Sequence, residues 1–141
     1  MAESPPAPGF DRIVDSDRFS NAMERALAHG EERAIVLIDL QGPEDAVVAA
    51  AEARILRTIR PSDLVGRLGR DRFAVLATTN GGFAQAKGLA IRLAQRLGEP
   101  FNVGGKDVLV DAQIGVAVGQ GEADTAAKVL VRAEQSFDSL R

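Results

Sequence analysis

The 141-residue sequence contains no cysteine, tryptophan or tyrosine, only one histidine, and 4% aromatic residues. Without cysteine there is no disulfide framework, no thiolate metal site and no thiol nucleophile. One histidine, His29, rules out a polyhistidine metal cluster. It precedes Gly30 at the expected end of a helix, where an imidazole more often meets the helix dipole than performs chemistry. No apolar run approaches the length needed to cross a bilayer, and "MAESPPAPGF" has neither the basic nor the apolar segment of a secretory signal. The net charge of -3 supplies no broad basic field for nucleic acid or an anionic membrane, so any anion has to be met locally. A cytoplasmic protein is expected, with neither nucleic acid nor membrane as a partner.

With 45% hydrophobic residues, the chain has enough apolar material for one core, read as a domain over 11–141 behind a flexible lead at 1–10. Phe19, Met23 and Leu27 recur every four positions and predict a helix from Asp15 or Ser16 to His29, closed by Gly30. "AIVLIDL" (34–40) has the continuous β-branched pattern of a central strand buried on both faces, ending near Asp39. Residues 44–60 carry Val48, Ala51, Ile55 and Ile59 on one stripe, stopped by Pro61. "LVGRL" and "RFAVLAT" flank a short turn in which Gly69 is expected to adopt an unusual backbone conformation.

Further along, residues 83–97 form a helix with Phe83, Ala86, Ala90, Leu93 and Leu97 inward. A small hairpin around "GGK" and a core strand follow, then a helix over 123–140 with Ala126, Leu130, Ala133 and Phe137 inward. This order predicts an α/β (α+β) sandwich, ferredoxin-like or nucleotidyl-cyclase-type, with a mostly antiparallel central sheet and flanking helices.

Four strings in this order, "IVLIDL", "IRPSDLVGRLGRDRFAVLA", "RLAQRLGEPFNVGGKDVLVDAQIGVAV" and "LVRAEQSFDSLR", resemble the GGDEF family of diguanylate cyclases over roughly 11–141. The resemblance implies a site at which two GTP molecules, one from each protomer of a dimer, become cyclic di-GMP with the help of magnesium. Asp39 and Asp71 match the family's metal carboxylates, a pair that by itself holds magnesium weakly. The hairpin Gly69, Arg70, Asp71, Arg72 and Phe73 matches the signature turn, with two departures. Arg70 replaces the second glycine, filling space near the nucleotide, and Arg72 replaces the second acid, reversing its charge. Between Asp39 and the next helix, roughly three helical turns' worth of chain that carries the family's guanine-reading Asn and Asp has no counterpart.

The implied reading is a degenerate, catalytically inactive domain in cyclic di-GMP signalling. It acts through a protein partner, an adjoining signalling domain or homodimerisation, and needs no cofactor beyond magnesium arriving with a nucleotide. The Arg-x-x-Asp formed by Arg60 and Asp63 matches the family's inhibitory site for cyclic di-GMP, with Arg92 as a third member and Arg96 as its fallback. A receptor for that dinucleotide is therefore the alternative, and an active cyclase the distant one. Without the resemblance, Arg60 and Asp63 read equally as a helix-end ion pair and Arg92 as a solvated helix face. Arg54, Arg57 and Arg67 read as added positive potential nearby or as ordinary surface dressing.

Overall fold

The computed structural model describes residues 13–78 and 82–137; the expected lead at 1–10 and the end of the expected last helix lie outside them. A short strand, β1 (Ile13–Asp15), runs straight into α1 (Ser16–Ala28). Sequence reasoning missed β1, because "IVD" is too short to show alternation; its signal is parallel pairing with β3 (Leu64–Arg67), Ile13 opposite Val65. Asp15 caps α1 by accepting the Arg18 N–H at 2.8 Å, and Gly30, with φ 72°, ends it as expected. His29 Nδ1 lies 2.7 Å from the Arg25 carbonyl at the same helix end.

The sheet has the order β1-β3-β4-β2-β7, in which β2 (Glu32–Leu40) is antiparallel to both β4 (Arg72–Thr78) and β7 (Ala112–Gln120). Interior position explains its continuous apolar run, since consecutive side chains enter opposite cores. Ala34, Val36 and Ile38 pack with residues of α2 (Asp45–Thr58) and α3 (Gly82–Leu97). Ile35 and Leu37 pack with Phe19, Met23 and Leu27 of α1 and with Val129 and Ala133 of α4 (Ala126–Gln135). A mostly antiparallel sheet between two helix pairs is the expected sandwich. The small hairpin is β5 (Phe101–Val103) and β6 (Lys106–Val108), turned by Gly104 and Gly105 at φ 60° and 81°.

Five details differ from the sequence reading. In α2 the buried residue is Val47, with Val48 half-buried. In α4 Val129 is buried and Leu130 half-buried, and the helix begins at Ala126 rather than at the expected 123, Ala123 instead ending a separate 3-10 turn, Gly121–Ala123. In each helix two adjacent apolar residues compete for one inward position, and a stripe read one residue out of phase points to the wrong one. Phe83 is 51% exposed, and Leu89 takes an inward place instead. Gly69 is not among the positive-φ glycines, so the β3–β4 turn closes without left-handed backbone, held by the Leu68 N–H donating to the Arg72 carbonyl at 2.9 Å.

The start of α4 carries a titrating clasp. Asp124 accepts from the Gln120 N–H at 3.2 Å and from both arms of Arg132 at 2.9 and 2.8 Å. The Arg132 hydrogen bond, against a smaller opposing effect of burial, holds the Asp124 carboxyl below the usual carboxylate range. A depressed folded-state pKa gives stability that is complete above the unfolded pKa and lost as pH falls through the folded one. Thermal melts of wild type and Asp124→Asn are therefore expected to differ by a few degrees at pH 7, the gap starting to close only below about pH 4 and vanishing as pH falls through the lower folded-state pKa. A gap that persists undiminished at pH 3 would contradict this assignment.

Candidate functional site

Register places the hairpin tip. Asp39, near the end of β2, pairs across the sheet with Arg72, the first residue of β4. The Arg72 guanidinium reaches Asp39 Oδ2 at 3.1 Å with one arm and Glu134 Oε2 of α4 at 3.5 Å with the other, 6.0 Å from the Phe137 ring centroid. Partial burial pulls the Arg72 pKa down, but the hydrogen bond and charge of Asp39, joined by Glu134, outweigh it and leave the guanidinium above its ordinary value.

Arg70 turns the other way. Its Nη2 donates to the Pro43 carbonyl at 2.6 Å, its Nε meets Asp45 Oδ1 at 2.9 Å, and its Nη1 lies 3.7 Å from Asp71 Oδ2. The Asp71 carbonyl accepts the Leu40 N–H at 2.9 Å, which fastens the tip to the end of β2. These ion pairs are exposed enough to add only tenths of a kcal/mol each, so they fix geometry more than stability. Phe73, 1% exposed, anchors the strand beneath, while a Cβ on Gly69 would meet only Arg72 Cβ, at 3.8 Å. Both predicted carboxylates, Asp39 and Asp71, thus come to one end of the sheet, each beside an arginine. Sequence reasoning missed Asp45, Glu134 and Phe137; Glu134 lies 62 residues from Arg72, and no local pattern joins them.

The second cluster lies where α2 hands over to β3. Asp63 is 3% exposed, and its Oδ2 accepts the Arg60 N–H at 2.9 Å while its own N–H donates to the Arg60 carbonyl at 3.0 Å. The turn at 60–63 is closed in both directions, with Pro61 keeping it out of the helix. Arg60, Asp63, Thr78, Gln85, Leu89 and Arg92 line a notch beside this turn, with a cavity of about 10 Å³. Arg60, Asp63 and Arg92 therefore come together as expected from the sequence; Arg96 does not join them.

Arg96 belongs to a neighbouring groove between α2 and α3, lined also by Arg54, Arg57, Thr58, Arg92 and Glu99. Arg54 is a structural clamp there: it donates to the carbonyls of Arg96, Glu99 and Pro100 at 2.9, 2.6 and 2.9 Å and stacks 3.6 Å above the Phe101 ring centroid. Arg67 is held by Glu52 across from α2, with Nε 2.7 Å from Oε2.

The family profile described as "Diguanylate cyclase, GGDEF domain" matches residues 43–141. Among curated proteins, "Diguanylate cyclase TpbB" of Pseudomonas aeruginosa is 31% identical over 139 residues, covering 90% of this chain and 32% of that protein. "Bifunctional diguanylate cyclase/cyclic di-GMP phosphodiesterase MucR" of the same species is 26% identical over 138 residues, covering 90% of this chain and 20% of that one. The chain therefore spans a third or less of these relatives. The crystal structure of the GGDEF domain of PA1120 (YfiN or TpbB) from P. aeruginosa superposes with a TM-score of 0.79 at 28% identity, covering 89% of this chain and 88% of that one. The FimX GGDEF domain from P. aeruginosa, at 18% identity and a TM-score of 0.70, shares the fold. A profile match over most of the chain, together with the fold shared with a GGDEF-domain crystal structure, places this chain in the GGDEF family of diguanylate cyclase domains.

Proposed function

We propose that this chain is a non-catalytic GGDEF domain that serves cyclic di-GMP signalling by contact with a partner, without joining GTP itself. The observation that carries the reading is the Arg72 guanidinium between Asp39 and Glu134. A divalent cation needs carboxylate oxygens free to face it, and here a fixed positive charge already faces each one: Arg72 beside Asp39, Arg70 beside Asp71. This donor set does not fit magnesium. Arg70 also reaches Pro43 across the tip, and only residues 41–44 connect β2 to α2, which leaves no segment for the family's guanine-reading residues. The curated relatives are much longer than this domain, and MucR couples a phosphodiesterase to a cyclase by name. That supports an adjoining signalling domain, or a second protomer, as the partner on which this one acts.

A second reading, reception of cyclic di-GMP, is favoured by the notch that gathers Arg60, Asp63 and Arg92. The guanidinium forks suit guanine and phosphate acceptors, and a carboxylate suits the guanine N–H edge. A cavity of about 10 Å³ holds roughly one water, so a base enters only as the exposed Arg60 and Arg92 side chains at its mouth swing aside, a fast surface motion.

Two measurements test these readings. Incubation with GTP and magnesium, followed by chromatography, is expected to yield no cyclic di-GMP; turnover would overturn the first. In calorimetric titration with cyclic di-GMP, wild type is expected to bind and Arg60→Ala to lose at least about tenfold in affinity, the scale of a lost charge-assisted fork. Absence of heat with wild type would remove the receptor reading and leave the contact role.

A further inference from the structure

We propose that the groove between α2 and α3 is a phosphate subsite whose cationic walls are Arg57 and Arg92. It receives a phosphate of the nucleotide whose base meets the turn at 60–63. This deepens the receptor reading above and rests on it.

The groove encloses about 550 Å³ and contains four arginines and one acid. Their charges are not equivalent once their contacts are followed. Arg54 is fully engaged by three carbonyls and the Phe101 ring. Arg96 and Glu99, 3.8 Å apart, offset each other on the α3 side. Arg57 and Arg92 have no salt-bridge partner among the described residues. Two unneutralised guanidinium groups thus face one cavity from two helices in a domain whose net charge is -3. Their mutual repulsion is relieved by an anion between them, and paired N–H donors on each side suit phosphate oxygens.

Continuity with the notch comes from Arg92, which lines both spaces. Arg57 lies in the last turn of α2, which ends at Thr58, and Arg60 follows two residues beyond it at the turn into β3, so both arginines stand at the same end of the α2–α3 seam. A ligand with its base at Asp63 and a phosphate beside Arg57 touches Arg92 on the way. Thr58 is excluded as a donor toward that phosphate, because its hydroxyl already donates to the Arg54 carbonyl at 2.8 Å. The phosphate has two sources, the phosphodiester of a cyclic dinucleotide or the terminal group of a nucleoside triphosphate, and the test separates them.

The test is calorimetric titration of wild type, Arg57→Ala, Arg57→Lys and Arg60→Ala with cyclic di-GMP and, separately, with GTP, at two salt concentrations, folding being checked by circular dichroism. Arg57→Ala is expected to weaken cyclic di-GMP binding about tenfold and flatten its salt dependence, with Arg57→Lys recovering part of the loss because it keeps the charge without the fork. The same dependence seen only with GTP supports the subsite and assigns it to a terminal phosphate. Wild-type affinity in Arg57→Ala for both nucleotides, with binding lost in Arg60→Ala, overturns the subsite and leaves the receptor reading intact. No binding of either nucleotide by wild type overturns both.

Discussion

Gly115→Ala is expected to be strongly destabilising, lowering stability by about 3 kcal/mol or more. A Cβ built on Gly115 stands 1.9 Å from the Ala133 carbonyl oxygen and 2.8 Å from Ser136 Oγ. The nearest obstacle is helix backbone, which a rotamer change cannot move. The alanine fits only if α4 lifts away from β7, and that motion breaks the Ser136 hydroxyl's bonds to the Val116 N–H at 2.7 Å and to the Val116 carbonyl at 3.1 Å. It also loosens Val129 and Ala133 from the core they share with α1. Chemical denaturation measures the loss, and Ser136→Ala, expected to cost only about 1 kcal/mol, separates the hydrogen bonds from the steric effect. A Gly115→Ala protein within 1 kcal/mol of wild type would mean that α4 is not seated as described.

Arg72→Glu is expected to convert a magnesium-indifferent domain into one that magnesium stabilises. In wild type the Arg72 guanidinium neutralises Asp39, whose side chain is 22% exposed, and reaches Glu134. A glutamate at that position sets carboxylates against each other in place of the guanidinium that joined them, which costs about 1–2 kcal/mol and lowers the melting temperature by roughly 5 °C in a chelator. The same oxygens form a site for a hard cation. Magnesium at about five times its dissociation constant restores roughly 1 kcal/mol to the variant, and wild type melts at the same temperature with or without it. GTP turnover is expected to stay absent in the variant, because Arg70 still bridges to Pro43 and the connection at 41–44 is unchanged. Equal magnesium stabilisation of both proteins would contradict the role given to Arg72.

The legible parts of the fold were those written in local periodicity. Phe19, Met23 and Leu27 announced α1, and the unbroken run at 34–40 announced an interior strand, since both patterns follow from which faces are covered. The inward residues of α2 and α4 were misassigned by one position where Val47 adjoins Val48 and Val129 adjoins Leu130, and only the partner surface decides between such neighbours. Gly69 was expected to take an unusual backbone conformation because glycine permits one; permission is not requirement, and its φ is not positive. At the site, the gathering of Arg60, Asp63 and Arg92 was implied by the family resemblance, and the three line one notch. The engagement of Arg72 with Glu134, of Arg70 with Asp45 and of Arg54 with three carbonyls was not, because each joins residues at least 25 positions apart and depends on helix placement.

Arg54 has a mechanical consequence. One side chain on α2 grips the carbonyls that end α3 and the ring that begins β5, so two helices and a hairpin share a single rivet. Through these bonds the end of α3 cannot shift relative to α2 without breaking contacts of Arg54. α2 itself leads into the turn at 60–63 and the β3–β4 hairpin that follows in the chain. One side chain thus ties together three elements on the face that carries the turn.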